Sequence, residues 1–242
     1  MTSDQTKTRL YITGPLQAGQ ALELSSDHAH FLGNVLRLKA GDQIALFNEN
    51  DGEWIGPVTA LKKRDGQVTL ERQSRPCVPE PGPWLAFAPL KKDRTHMIIE
   101  KATELGVERL LPVITQNTNG RANRDRMAAQ AIEASEQSER LSVPTVMEPQ
   151  SLVGFLENWP PERTLLAGDE TGGGQAIVEV ISSNTKKNKD YGILVGPEGG
   201  FNNDERALLK GAEFCTLIDL GPRILRAETA AIAALACLQA LT

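Results

Sequence analysis

Residues 191–205 read YGILVGPEGGFNNDE, and the reading of this stretch decides the fold. Residues 192–195 are apolar without alternation, the pattern of a parallel strand buried on both faces. The run ends at Gly196 and Pro197. Gly196, Gly199 and Gly200 allow positive φ or close approach of a ligand to the backbone, and Pro197 stiffens the turn. Asn202 followed three residues later by Glu205 is a capping-box pattern, so a helix starts there. A strand that ends in a glycine turn and opens a helix is the edge at which open α/β sheets bind ligands. The spacing G-x-G-x-x-G is absent, and no Lys-Ser or Lys-Thr follows the glycines as in a P-loop. Glu198 inside the turn suits a neutral or cationic ligand better than a polyphosphate. Taken alone, the stretch is equally consistent with a tight β-to-α turn that holds nothing.

Outward from this turn, strands and helices alternate over the C-terminal two thirds of the chain. WLAFAPL, ERLLPVIT and RTLLAGDE are strand-like, and DRTHMIIEKATELG is a helix with Met97, Ile98, Ala102 and Leu105 on one side and Gly106 as its stop. A longer helix, RDRMAAQAIEASEQSER, places Met127, Ala131, Ala134 and Ser135 near one face. Such alternation argues for a parallel sheet covered on both faces. Residues 76–83, PCVPEPGP, are too rich in proline for a helix interior or a central strand and read as a linker. Before them lie short strands such as DQIALFN, EWIGPVTALKK and GQVTLERQ, the pattern of a small barrel. One helix interrupts these strands, capped by Ser26 or Asp27, with Phe31, Leu32, Val35 and Leu36 as its apolar stripe. The expected division is residues 1–76, a linker over 77–83, and residues 84–242.

A second signal is LGPRILRAETAAIAAL, residues 220–235. A strand ends at Leu220, Gly221 and Pro222 turn the chain, and Arg223 and Arg226 precede the start of an alanine-rich helix. Unpaired N–H groups at a helix start and two permanently charged guanidiniums suit an anion, or negative charge that develops during a reaction. The alternative is that both arginines pair with Glu228 and surface acids.

Composition limits the rest. The 242 residues carry a formal charge of −5, so any nucleic-acid contact must be a local basic patch. Cys77, Cys215 and Cys237 have neither zinc-type spacing nor a disulfide framework, and no metal is expected. The N-terminus MTSDQTKTRLYITG has no apolar leader, and the apolar segment Ala227–Leu241 opens with Glu228, so a cytoplasmic protein without a membrane span is expected.

Together, LVGPEGGFNNDE and LGPRILRAETA resemble the two C-terminal signatures of the RsmE-type 16S ribosomal RNA methyltransferases, members of the SPOUT class. HFLGNVLRLKAGD, KKDRTHMIIEKATELGV and EASEQSER followed by VP resemble further segments of that family, in the same order along almost the whole chain. The departures are mild: Pro222, Ala227 and Glu139 stand where other residues are frequent. The resemblance implies an α/β methyltransferase domain tied in a trefoil knot, preceded by a small PUA-like β-barrel. It implies methylation of a uridine at N3 in small-subunit RNA, with S-adenosylmethionine as donor, by a homodimer.

Carried over by motif, the resemblance implies a donor slot of three loops. Leu166, Ala167 and Gly168 form the first. Val195, Gly196, Pro197, Glu198, Gly199 and Gly200 form the second. Leu220, Gly221, Ile224, Leu225, Arg226 and Thr229 form the third. Arg226, then Arg223, would stabilise the developing uracil anion, and Glu198 is a candidate base or donor-orienting group. Arg9, Arg37, Lys39, Lys91, Lys92, Arg94, Arg121, Arg124 and Arg126 would grip RNA phosphates in free RNA or the assembled small subunit. Two rivals remain: a knotted methyltransferase acting on another RNA atom, such as a ribose 2′-hydroxyl, and a non-catalytic PUA-like assembly factor.

Overall fold

The computed structural model describes residues 6–183 and 186–242, with the Lys92 side chain outside the description. It divides into two compact units, Met1–Glu80 with Ser135–Ser142, and Pro81–Ala134 with Val143–Thr242.

The first unit holds β1 (Arg9–Tyr11), β2 (Ala21–Glu23), α1 (Ser26–His30), β3 (Gln43–Asn48), β4 (Gly52–Leu61), β5 (Gly66–Thr69) and β6 (Arg72–Arg75). The strand order is β1-β3-β4-β5-β2, with β6 also paired to β4. β4 organises the unit. Its first half pairs with β3 and β6, its second half with β5, and the register shifts between Val58 and Ala60. A bulge of this kind bends and twists a strand. Next to it, a Cβ on Gly56 would lie 1.9 Å from the Thr69 carbonyl oxygen, so no side chain fits there. The bend encloses Leu10, Ile44, Leu46, Val58, Val68 and Leu70, all buried. Each such side chain stabilises the unit by about 1.5–3 kcal/mol.

The helix read from residues 26–36 is shorter than expected. Ser25, not Ser26 or Asp27, caps it, its Oγ accepting from the His28 N–H at 3.1 Å. A π-helical turn follows over Phe31–Val35, closed by Leu36 N–H donating to Phe31 O at 3.0 Å. The wider turn leaves Leu32 in the core but turns Val35 outward, to 59% exposure. The backbone then passes through Arg37 at φ 59°, in the left-handed region.

The second unit contains β7 (Trp84–Phe87), α2 (Lys92–Glu104), β8 (Arg109–Ile114), α3 (Arg124–Gln137), β9 (Thr145–Val146), β10 (Gln150–Ser151) and α4 (Leu152–Glu157). It continues with β11 (Thr164–Gly168), β12 (Gln175–Ala176), α5 (Ile177–Ser182), β13 (Tyr191–Val195), α6 (Asn203–Gly211), β14 (Cys215–Asp219) and α7 (Ala227–Leu241). The last residues of α3 belong to the first unit. The sheet order is β10-β8-β7-β13-β11-β14-β12, with β9 on β8, and every pairing is parallel. One face is covered by Ile98 and Ile99 of α2, Ile181 of α5 and Leu235 and Leu238 of α7. Phe155 of α4, Trp159 and Leu209 of α6 cover the other. Burial on both faces explains the unbroken apolar run of β13. Met97, expected on the inner side of α2, is 45% exposed, and Ile99 takes the inward place.

Arg9 does not have the role expected of it. Its side chain is 10% exposed, and Nε lies 2.6 Å from Glu53 Oε2. Nη1 donates to the carbonyls of Ser135 and Glu136, each at 3.1 Å, and Nη2 to that of Arg140 at 2.9 Å. The guanidinium also stacks 4.2 Å above the Phe47 ring. The Ser135 and Glu136 carbonyls lie in the last turn of α3, and a cation is well placed at the C-terminus of a helix. Every nitrogen of the guanidinium is engaged inside the unit, so Arg9 supports the fold rather than gripping phosphate.

Candidate active site

β13, β11 and β14 are adjacent and parallel, so the loops that follow them leave the same edge of the sheet. They meet around one cavity of about 500 Å³, within the usual range for small-molecule sites.

The first loop follows Gly168. Asp169 is buried, at 7% exposure, and its Oδ1 accepts from the Thr171 N–H at 3.1 Å and from Thr171 Oγ1 at 2.7 Å. Its Oδ2 has no partner. A buried carboxylate oxygen without a donor is costly, and a cationic or hydroxyl-bearing ligand would satisfy it.

The second loop, residues 196–200, is braced from several sides. The Gly200 N–H donates to the Pro197 carbonyl at 2.9 Å, and Gly200 sits at φ 65°. Asn117 Nδ2 donates to the carbonyls of Gly199 and Gly200, at 3.1 and 3.0 Å. The expected capping box is present: Asn202 Oδ1 accepts from the Glu205 N–H at 2.8 Å, and Glu205 Oε2 accepts from the Asn202 N–H at 3.0 Å. Glu205 Oε1 also takes the Gln116 N–H at 2.8 Å. Glu198 forms an ion pair with Arg94, which reaches the cleft from the first turn of α2.

The third loop runs from Leu220 to the start of α7. Gly221 adopts φ 113°, its N–H donating to Asp219 Oδ1 at 3.1 Å. Arg223 and Arg226 line the cleft, are exposed, and make no ion pair or side-chain hydrogen bond among the described residues. Glu228, the partner the sequence offered them, is buried at 8% exposure and lies 3.7 Å from Arg94 Nε. Its Oε2 has no partner. Both arginines are thus left to face the cleft. Ile224 between them is 84% exposed. The cleft is lined by the carboxylates of Asp169, Glu170, Glu198 and Asp219 and by the guanidiniums of Arg94, Arg223 and Arg226, four negative and three positive groups.

Of the residues carried over by motif, Gly168, Val195, Gly196, Pro197, Glu198, Gly200, Leu220, Gly221, Ile224, Leu225, Arg223 and Arg226 line this cleft. Leu166 and Ala167 do not: they are fully buried in β11, paired with β13 and β14. Gly199 directs its carbonyl to Asn117, and Thr229 is exposed on α7, off the cleft. Asp169 and Glu170, which end the segment RTLLAGDE, and Thr171 just after it were missed as site residues. Arg94, expected to hold RNA, is a cleft residue bound by two carboxylates. Arg37, Lys39, Lys91, Arg121, Arg124 and Arg126 are exposed, with Arg124 donating to the Val146 carbonyl at 3.0 Å. Lys92 falls outside the described side chains. Among the described residues no cluster of His, Cys, Asp and Glu could hold a metal, and no helix is long and apolar enough to cross a membrane.

A fully parallel sheet gathering three loops into one cleft, joined in sequence to a small bent β unit, fits the α/β SPOUT fold with a PUA-like unit that the sequence led us to expect. Residues 80–239 match the RNA methyltransferase domain, and residues 24–71 match the RNA methyltransferase PUA domain. The chain is 38% identical to ribosomal RNA small subunit methyltransferase E of Rickettsia conorii, over 94% of this chain and 93% of that protein. Its Bacillus subtilis counterpart is 28% identical, over 92% of this chain and 91% of that protein. The same protein of Neisseria gonorrhoeae, solved bound to S-adenosyl methionine, superposes with a TM-score of 0.84 at 28% identity, covering 97% of each chain. A Legionella pneumophila structure with its bound cofactor SAM gives a TM-score of 0.84 at 30% identity, over 96% of this chain and 97% of that one. The chain belongs to the RNA methyltransferase family that includes these ribosomal RNA small subunit methyltransferase E proteins.

Proposed function

We propose that this chain transfers a methyl group from S-adenosylmethionine to N3 of a uridine in small-subunit ribosomal RNA. One observation carries the reading: the loops after β11, β13 and β14 share a single cavity of about 500 Å³. Its residues fit the donor. Asp169 offers a buried carboxylate oxygen that lacks a partner, and Glu170, Glu198 and Asp219 add negative charge suited to a sulfonium with an ammonium tail. Gly196 and Gly200 let main-chain groups approach an adenine closely. When bound, the donor supplies an electrophilic methyl group.

The chain's own part is to hold the acceptor and the charge that appears on it. Uracil N3 must lose its proton, here to solvent water, to become nucleophilic, and the charge then spreads to the flanking carbonyl oxygens. Arg226, with Arg223 as its neighbour, stabilises that charge in this reading, since both line the cleft and neither is paired among the described residues, and a donor of this kind lowers the barrier by roughly 3 kcal/mol. Ile224, 84% exposed between them, lines the same cleft and offers apolar surface that a bound ligand would cover. Glu198 is held by Arg94, which favours a role in fixing the donor loop over that of proton acceptor. Fixing methyl and nitrogen in contact supplies much of the remaining acceleration.

The relatives named for this activity, and the match of residues 24–71 to a PUA domain, support ribosomal RNA as substrate. A cytoplasmic homodimer completes the proposal. Its support is the family resemblance together with α7, an alanine-rich helix that leaves Thr229, Ala236 and Ala240 exposed. Sedimentation of the purified protein tests the dimer.

Nucleoside mass spectrometry of small-subunit RNA, treated free and as assembled subunit, tests the activity. Base-methylated uridine is expected, and a ribose-methylated product would transfer the reading to an alcohol acceptor. Calorimetry that detects no donor binding would instead favour an assembly factor.

A further inference from the structure

The cations of the first unit include two contrasting sets. Arg9 and Arg75 face Glu53, and Arg140 faces Glu80. Arg37, Lys39, Lys62, Lys63 and Arg64 are all exposed and have no carboxylate partner among the described residues. The fold brings the second set together. Residues 62–65 form the tip of the β4–β5 hairpin, closed by the Lys62 N–H donating to the Asp65 carbonyl at 2.7 Å. Leu61, at the base of the tip, packs against the π-helical turn: a Cβ on Gly33 would lie 3.6 Å from Leu61 Cδ2. Arg37 and Lys39 emerge directly from that turn, and the Gly41 N–H fastens the following segment to the Val58 carbonyl at 2.8 Å. Asp42 and Asp65 are the acids within these segments, and Asp42 Oδ2 accepts from the Lys39 N–H at 2.8 Å. Five cations and two acids give a local charge of +3, in a chain whose total is −5.

A second feature points the same way. Arg37 is one of two non-glycine residues at positive φ among the described residues, at 59°. The left-handed region costs an ordinary residue roughly 1–2 kcal/mol. Strain retained at an exposed arginine, beside three further unpaired cations on a hairpin tip, marks a charge held for a partner rather than for the fold.

We infer that the β4–β5 hairpin tip, Lys62, Lys63 and Arg64, together with Arg37 and Lys39, is the phosphate grip of the first unit and binds the RNA backbone. The inference rests on the proposal that RNA is the substrate, and it shifts the grip from Arg9 to a hairpin that none of the family motifs includes. Phosphate contacts of this kind carry affinity without base reading and make binding depend on salt.

The test compares full-length K62Q/K63Q/R64Q with K187Q/K189Q/K210Q, which removes three lysine charges from the second unit. RNA binding is measured against salt concentration, using a small-subunit RNA fragment, and donor binding is measured by calorimetry. The hairpin variant should bind RNA at least about tenfold more weakly. Its salt slope should fall by about 2, since each single-stranded phosphate no longer neutralised accounts for about 0.7. Donor affinity and the control variant should remain within twofold of wild type. If the triple variant melts early, K63Q and R64Q taken singly should each lower the slope by about 0.7. Wild-type RNA affinity in the hairpin variant, or an equal weakening in the control, would overturn the inference, as would loss of binding to anionic phospholipid vesicles with RNA affinity intact. None of these results touches the methyltransferase reading, which fails separately if wild-type protein yields no methylated nucleoside.

Discussion

The two motif loops around the cleft are built on opposite plans. Residues 196–200 are held by Asn117, by an internal turn, by a capping box behind them and by the Arg94–Glu198 ion pair. Residues 221–226 have one side-chain brace, Asp219 on the Gly221 N–H, and carry two unpaired arginines and the most exposed large apolar side chain among the described residues. The difference separates two tasks. A loop whose shape is already fixed by such braces presents a preorganised surface, which suits a small ligand bound in one pose. A loop whose charges are unsatisfied is completed only by what arrives, which suits charge that appears during the reaction.

The sharpest way to break this division is Arg226→Ala. Turnover is expected to fall about 10²–10³-fold, the size found when one transition-state donor is removed, while donor affinity stays within twofold. Steady-state kinetics and donor calorimetry read the two effects separately, and equal losses would make the free loop part of the donor platform. Arg226→Lys should recover part of the rate, since the charge returns without the planar fork. On the braced loop the expected pattern reverses. A Cβ on Gly200 would lie 2.0 Å from Glu170 Oε1, and the residue sits at φ 65°. Gly200→Ala should therefore weaken donor binding by about tenfold or more and lower the unfolding free energy by about 1–3 kcal/mol. Unchanged donor binding in a folded Gly200→Ala protein would show that this loop is no donor platform.

How far the sequence could be read follows the range of the interactions. The β13 strand, the glycine turn and the capping box of Asn202 and Glu205 depend on neighbours within a few residues, and each is present as read. The parallel sheet was legible because burial on both faces leaves strands without alternation. What escaped depends on distant partners. Arg9 is held by carbonyls 126 to 131 residues away, and Arg94 by a carboxylate 104 residues away, so neither role has a local signature. The π-helical turn that exposes Val35 escaped because its wider winding breaks the regular helical period that residues 26–36 suggest. Asp169 escaped for a simpler reason: it lies one residue past its strand, where the apolar pattern has stopped and the ligand edge begins.

Asn117→Ala refines the comparison on a smaller scale. It removes two hydrogen bonds to the carbonyls of Gly199 and Gly200 without touching the cleft itself. A loss of about 1–2 kcal/mol in stability is expected, with a fewfold weaker donor affinity and an unchanged rate at saturating donor. A fall in saturated rate alone would mean that the brace serves the acceptor instead.

The smallest expected effect is at Thr229. It follows the free loop by three residues and belongs to the motif, yet it is exposed in the first turn of α7 and does not line the cavity. Its neighbours in that turn, Ala227 and Ala230, do line it, because a helix presents successive side chains to different sides. Thr229→Ala should then leave donor affinity within twofold and the fold intact. If calorimetry instead shows a tenfold loss, the donor site extends beyond the cavity of one chain. The free loop and the start of α7 would then be completed by a second copy rather than by RNA alone.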